Sequence, residues 1–512
     1  MRKILIIFLV FISVTACKKL DDLNANLKDF TAVPGEGIYN GATRALLNQM
    51  FTPNVNNNNT MLFVQYFAET TYPDESRYDM VTRTIPANHM NTLYRNALMN
   101  YKEAARVLNA TSLAGTTITQ AQRDNQLAII EIMSVFAWSN LVETFGDIPY
   151  TESLDYATKP NPKYDDGLTI YKDLINRLNT AIAKLDPTSP GMGAGYDNVF
   201  GGGVAGTAKW IRFANTLKLR MGLMISDISS ETALARTTVE AAAPNVFNVP
   251  ITSPTTGDKF AMTYLKDSPN TTPMYTELVL SGRKDYVVTS VYVNALNALN
   301  DPRRDGFMWT KIQHKDIAGL DSVLNYFGGA QGMPNGYNSF THVNNALLDP
   351  TREVVLMDYT EAEFLLAEAA ERGFTVVGSA ESHYNNAITS SILYWGRSIA
   401  DAATYLAQPA VAYTTATGTW RQKVGTQAWL GYYFRGFAAW TTWRRLDYPH
   451  LIASPKHVLA VNGIPERYIY PVSEQNLNGA NYTTAAAAIG GDKAETRLFW
   501  DEGPENYDSS FN

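Results

Sequence analysis

Metal binding, nucleophilic catalysis, paired-carboxylate chemistry and phosphate binding each leave a pattern of residue type and spacing. None of the four patterns is present here. The six histidines, His89, His314, His342, His383, His450 and His457, are scattered, with no HExxH and no other i, i+4 pair, the spacing that sets two imidazoles on one helix face for zinc. No GxSxG nucleophile elbow occurs. Glu131 and Glu143 fall on one helical stretch, where acids satisfied by buried or boundary partners account for both. Gly201-Gly202-Gly203 precedes a helix without GxxxxGK[ST] or GxGxxG, so it reads as a turn rather than a phosphate loop. No catalytic residue, metal or cofactor is assigned from these patterns.

The residues suited to recognition lie in irregular segments, where aromatic and polar side chains occur together. Tyr72, Tyr78 and Arg83 fall in an early loop; Tyr264, Tyr275, Trp309, Tyr326, Phe327, Asn335 and Tyr337 fall in a middle one. Rings beside amide or charged groups suit sugar faces and peptide side chains alike. The same rings also serve to pin long loops to the body, and both readings stand at this point. Aromatics make up 12% of residues, with 29 tyrosines and 9 tryptophans, a surplus over a lean helical core that favours aromatic surfaces outside it.

These loops need a frame, and the periodicity predicts an all-α one. Residues 124–145 are apolar nearly all round, so this helix must be enclosed by others; Gly146 caps it and Pro149 stops it from resuming. In chain order the pattern predicts helices over 35–50, 61–69, 88–108, 165–185 and 209–224, with Asp165 or Asp166 as the cap of the fourth. Residues 70–87 read as a long loop. Residues 229–350 read as a loop-rich insertion broken by a helix over 290–300. Beyond it, Thr360 and Glu363 form a capping-box pattern for a helix over 361–372 closed by Gly373, with Ala380, Tyr384 and Ala387 on the next helix. That pair resembles a tetratricopeptide unit, and Gly167, Tyr171 and Leu174 offer a weaker second copy. Trp429 to Arg445 reads as one aromatic helix. The expected architecture is a stack of irregular tetratricopeptide-like helical pairs with long loop-rich insertions.

The N-terminus carries the address. Arg2 and Lys3 precede an apolar run, Ile4 to Ile12, too short to cross a bilayer, which needs about 20 residues; residues 1–16 therefore read as a signal peptide. Cys17, the only cysteine, follows small residues at the cleavage point and resembles the lipobox of bacterial lipoproteins, with residues 17–34 as lipidated cysteine and tether. A committed Cys17 leaves no thiol for a disulfide, a metal or catalysis. Loss of Arg2 and Lys3 from the 42 basic residues, against 49 acidic ones, leaves a formal charge of about −9, which disfavours a nucleic-acid partner. No linker divides residues 35–512, which are expected to form one domain.

Several stretches in order, Cys17 with its Lys-Lys-Leu-Asp-Asp tether, FGDIPY at 145–150, KWIRFANTLKLRMGL at 209–223 and VVLMDYTEAEFLLAEAA at 354–370, are similar to the SusD/RagB family. So are the late FRGFAAWTTWRRLDYP and IPERYIYPVSEQNLN. The resemblance implies a nutrient-binding lipoprotein on the outer face of the outer membrane. It implies a partner, a TonB-dependent (SusC-like) transporter over which the protein sits as a lid, and a nutrient ligand for which the family favours an oligosaccharide over a peptide or another class. The ligand candidates are Tyr72, Tyr78, Arg83, Tyr264, Tyr275, Trp309, Tyr326, Asn335 and Tyr337. A surface-anchored hydrolase of the same nutrient and a ligand-free scaffold are the alternatives.

Overall fold

The structure, a computed structural model, describes residues 33–306, 308–315, 322–460 and 463–503. Cys17 and its tether lie outside the described residues. Helix α1 (Gly35–Phe51) is followed by a short α2 (Thr60–Phe63), the strand β1 (Phe67–Glu69), and a continuous helical run of α3 (Ile85–Asn91), a π-helical turn (Thr92–Leu98) and α4 (Met99–Ala110). Next come α5 (Gln120–Phe145), β2 (Ile148–Pro149), β3 (Tyr164–Asp165), α6 (Gly167–Lys184), α7 (Gly203–Met224) and α8 (Thr232–Ala242). The pairs α1/α4, α5/α6 and α7/α8 pack side by side.

Helix α5 is the centre. It is long and apolar enough to cross a membrane, yet 89% of its most apolar window is buried by the rest of the chain, so its hydrophobicity is spent on core packing. Thr119 caps its start by accepting from the Gln122 amide at 3.1 Å, and Gly146, at φ +86°, ends it. Its last carbonyls find buried cations. Arg444 Nη1 donates to the Glu143 oxygen at 2.9 Å, Arg467 Nη2 to that of Phe145 at 3.0 Å, and the Tyr468 amide to that of Thr144 at 2.9 Å. A guanidinium at a helix C-terminus satisfies orphan carbonyls and complements the dipole. The late IPERYIYP stretch thus closes the central helix.

The second half repeats the pairing. Strand β4 (Lys259–Met262) lies antiparallel to β10 (Val354–Asp358), which leads directly into α10 (Tyr359–Glu371). Between them run β5 (Tyr286–Val288), α9 (Ser290–Ala298), β6 (Trp309–Thr310), β7 (Ile312–Lys315), β8 (Ser322–Asn325) and β9 (His342–Val343); β1 pairs with β5, β6 with β9 and β7 with β8. Then α10 packs on α11 (Ala380–Tyr394), followed by α12 (Ile399–Leu406), α13 (Trp420–Gly431), α14 (Gly436–Leu446), α15 (Val472–Leu477) and α16 (Gly479–Ala488). The body is helix-rich, and every sheet among the described residues has two strands. The all-α class of helical pairs with loop-rich insertions holds.

Local expectations needed correction at four places. Residues 61–69 are helical only at the start: Gln65 turns at φ +56°, and Phe67–Glu69 pairs with Tyr286–Val288 as a strand. Helix α8 lies inside the stretch read as irregular and packs on α7. The cap of α10 is Asp358, whose Oδ1 accepts from the Glu361 amide at 3.0 Å. Thr360 Oγ1 has no partner there, and Glu363 instead accepts from His383 Nδ1 at 2.7 Å across the pair. Finally, the Trp429–Arg445 stretch is two helices broken at Phe434, φ +75°. The break delivers Arg435 to Asp358 and Glu361 at 3.1 and 3.2 Å.

Candidate functional site

The early loop and the middle insertion meet along β1 and β5. Past the ladder, the Thr70 amide donates to Asp285 O at 2.8 Å and its hydroxyl to Lys284 O at 2.7 Å. The insertion then closes over this edge. Asn335 donates through its backbone amide to Thr70 O at 3.0 Å and through Nδ2 to Glu69 O at 2.8 Å, while its Oδ1 accepts from the Ala330 amide at 2.8 Å. Arg77 Nε adds a bond to Gly332 O at 2.9 Å. Gly332, at φ +68°, sits where a Cβ would lie 2.1 Å from Ser454 Oγ, so only glycine lets the segments approach this closely.

Two residues beyond each end of the Thr70–Asn335 bond stand aromatic side chains. Tyr72 is 64% exposed. Tyr337 is half-buried and lies flat on His342, with ring centres 4.4 Å apart and planes 8° from parallel. Lys284 Nζ sits 5.0 Å from the Tyr337 ring centre, within range of a cation–π contact. Burial, helped by Lys284, holds His342 below the ordinary imidazole range, so the stack carries a neutral ring at neutral pH. An exposed ring, a supported ring and a lysine on one stitched edge form a surface suited to a flat, hydroxylated ligand.

Beneath the loop is a pair of buried carboxyls. Glu69 Oε2 accepts from the Ser76 amide at 2.9 Å. Burial, with the neighbouring Glu75 carboxyl adding to it, raises the Glu69 pKa to about 9. Arg83 forms an ion pair with Glu75. Arg83, a ligand candidate from sequence, is therefore half-buried and engaged in holding the loop.

Of the remaining candidates, several rings point inward. Tyr78 is fully buried against Phe63, and its hydroxyl accepts from the Ser454 amide at 2.9 Å. Tyr264 is buried and donates to Asn48 Oδ1 at 2.7 Å. Trp309, 2% exposed, stands in a cluster with Tyr292, Tyr326 and Tyr433 at 5.6, 5.5 and 6.2 Å. Tyr326 also donates to Asp305 Oδ1 at 3.1 Å. Burial removes these four rings from a surface ligand, and the pinning reading accounts for them. Tyr275 is half-buried on a separate short turn, Pro273–Tyr275. Tyr72 and Tyr337 thus stay on one edge with Lys284 and His342, while Asn335, buried and with its amide bonded to Glu69 O and Ala330, is the stitch beneath them rather than a ligand contact. The sequence showed nothing to mark Lys284 and His342, because their place depends on the β1/β5 pairing.

The fold is a helix-rich body of packed helical pairs that carries an exposed aromatic edge on its loops. The chain belongs to the SusD-like family, described as starch-binding and associating with the outer membrane, whose model matches residues 28–471. No curated protein sequence matches it. Among solved structures it is similar to a chitin-binding protein (24% identity, TM-score 0.75, covering 92% of this chain and 99% of that one). It is also similar to a chitin-binding SusD homologue from Flavobacterium johnsoniae (22%, 0.72, 92% and 100%). A SusD homologue from Bacteroides thetaiotaomicron gives 18%, 0.74, 93% and 100%. At these identities the likeness concerns the fold.

Proposed function

We propose that this protein is a lipid-anchored, surface-exposed outer-membrane binding protein that captures an oligosaccharide and hands it to a TonB-dependent transporter, without cleaving it. The observation that carries the reading is that the exposed Tyr72 ring and the Lys284–Tyr337–His342 stack lie two residues beyond the two ends of one backbone hydrogen bond, Asn335 N to Thr70 O. Sugar rings present C–H faces to aromatic rings and hydroxyls to cations and amides, and this edge offers both. Chitin binding by two of the structural neighbours supports chito-oligosaccharides as the first class to try, and the family description supports malto-oligosaccharides.

Calorimetric titration of residues 18–512 with chitohexaose and maltoheptaose tests it, with chromatography of the sugar afterwards. Binding of intact sugar that falls about tenfold or more in Tyr72→Ala, a loss of about 1.4 kcal/mol, is the expected result. Recovery of shortened sugar would instead make the protein a hydrolase. Unchanged affinity in Tyr72→Ala would remove this edge from the site.

A further inference from the structure

On another part of the body a groove runs past the π-helical turn, and no residue in it belongs to the loop face. Its first compartment, of about 490 Å³, lies between that turn, the 149–162 loop and α15. Across Ser153 and Leu154, which line both, it adjoins a second, of about 290 Å³, over Tyr150, Glu131 and Arg177; those two charged residues also line a third, of about 580 Å³, between α5 and α6. Each compartment falls in or near the size range of small-molecule sites.

The walls are fixed to one another. Tyr94 donates its hydroxyl to Pro149 O at 2.6 Å, Tyr164 to Glu474 Oε2 at 2.7 Å, and Asn478 Nδ2 to Pro162 O at 2.9 Å. Lys102 Nζ donates to Leu154 O at 2.7 Å. The cleft therefore exists before any ligand arrives, which lowers the ordering cost of binding. One wall is the π-helical turn itself, a distortion that recurs at functional sites.

The mouth holds groups without internal work. The Tyr156 ring is 80% exposed and Leu477 is 75% exposed. The exposed Arg95 guanidinium makes no hydrogen bond or ion pair among the described residues. Further in, Arg177 joins Glu131 at 2.6 Å and donates to the Tyr150 hydroxyl at 2.6 Å, and Tyr150 in turn donates to Asp173. Planar guanidinium and carboxylate groups in a row suit the vicinal hydroxyls of successive sugar units, and the Tyr156 ring at the mouth suits a sugar face. A peptide added as a strand would call for an open sheet edge, whereas past the mouth this groove is lined mostly by helices, its second compartment setting Leu98, Ile130 and Trp138 beside Glu131 and Arg177 and its third adding Asp173, Asn176 and Lys184.

We infer that the groove is a second binding site, for a linear oligosaccharide, with Tyr156 and Arg95 at its entrance. The inference rests on the carbohydrate reading of the loop face but uses none of its residues. Two sites on one chain would hold a long polymer at two points, each raising the local concentration at the other.

Chitohexaose and maltoheptaose are titrated calorimetrically into the wild-type chain, Tyr72→Ala, Tyr156→Ala and Arg95→Gln. Both groove side chains are exposed, so unchanged melting temperatures are expected and serve as the folding control. Residual binding in Tyr72→Ala that drops about tenfold or more when Tyr156→Ala or Arg95→Gln is added is the predicted result. Wild-type affinity and stoichiometry in both groove variants, with binding lost only in Tyr72→Ala, would overturn this inference and leave the loop face standing. Loss only in the groove variants would keep the groove and remove the loop face. Absence of heat with either sugar in the wild type would overturn both assignments.

Discussion

Trp309 shows how little residue type alone reveals about a binding ring. From sequence it stands among turns with Tyr326 and Asn335 nearby and reads as a ligand platform; in the fold it is 2% exposed and ringed by Tyr292, Tyr326 and Tyr433. Burying an indole removes it from ligand and commits it to packing, so Trp309→Ala is expected to cost about 3–5 kcal/mol through the lost transfer energy and the cavity left behind. Sugar affinity of the folded fraction should stay within a factor of two or so. Urea unfolding followed by titration under native conditions reads both quantities. A stable variant with weakened binding would restore Trp309 to the ligand site. Tyr72 and Trp309 have the same kind of sequence neighbourhood. What separates them is long-range strand pairing, which local composition does not encode.

At the scale of elements, long amphipathic helices were legible and short segments were not. The spacing of Leu174, Leu178 and Ala181 holds, and of the two caps the sequence offered, Asp165 and Asp166, the fold uses Asp166, whose carboxylate accepts from the Thr169 amide at 2.8 Å. Phe67–Glu69 was not legible, because a short apolar run fits a buried helix and a buried strand equally well. Its partner strand lies more than two hundred residues away. That strand carries Glu69, whose carboxyl pins the early loop through Ser76 and whose pKa stands near 9 from burial and from Glu75. In the unfolded chain a glutamate titrates at about 4.3. Below that value both states hold the proton and the group is neutral to stability. Between about 4.3 and 9 the folded state holds a proton the unfolded state has lost, so stability falls as pH rises, by up to about 1.4 kcal/mol per pH unit. Glu69→Gln keeps the shape and abolishes the titration. The difference in unfolding free energy between variant and wild type should therefore grow steadily from pH 5 to pH 8.5 in the variant's favour. A difference that is flat with pH would show that Glu69 is ionised in the fold.

For the whole molecule, the order of the late motifs was legible while their purpose was not. Nothing in the sequence assigns Arg444 and Arg467 a partner, and in the fold they lie buried at the end of α5, donating to Glu143 and Phe145 carbonyls some three hundred residues earlier. Such a closed body has its own central helix covered, so α5 is not the element that would hold it to a bilayer. Attachment is then expected to fall to Cys17. Several acyl chains, each contributing about 0.8 kcal/mol per buried CH₂, make a durable anchor where a single myristoyl-length chain is marginal. Cys17→Ser should leave the helical body intact, since it alters nothing within residues 33–503, and should move the protein from the membrane pellet to the soluble fraction. Its melting temperature and its calorimetric titration with chitohexaose or maltoheptaose should match those of wild type. Fractionation of cells with quantitative blotting reads the first effect, and purified protein reads the second. Full retention of the variant in the membrane would mean that the body itself holds the surface, through a protein partner rather than lipid, and the lipobox reading would fall.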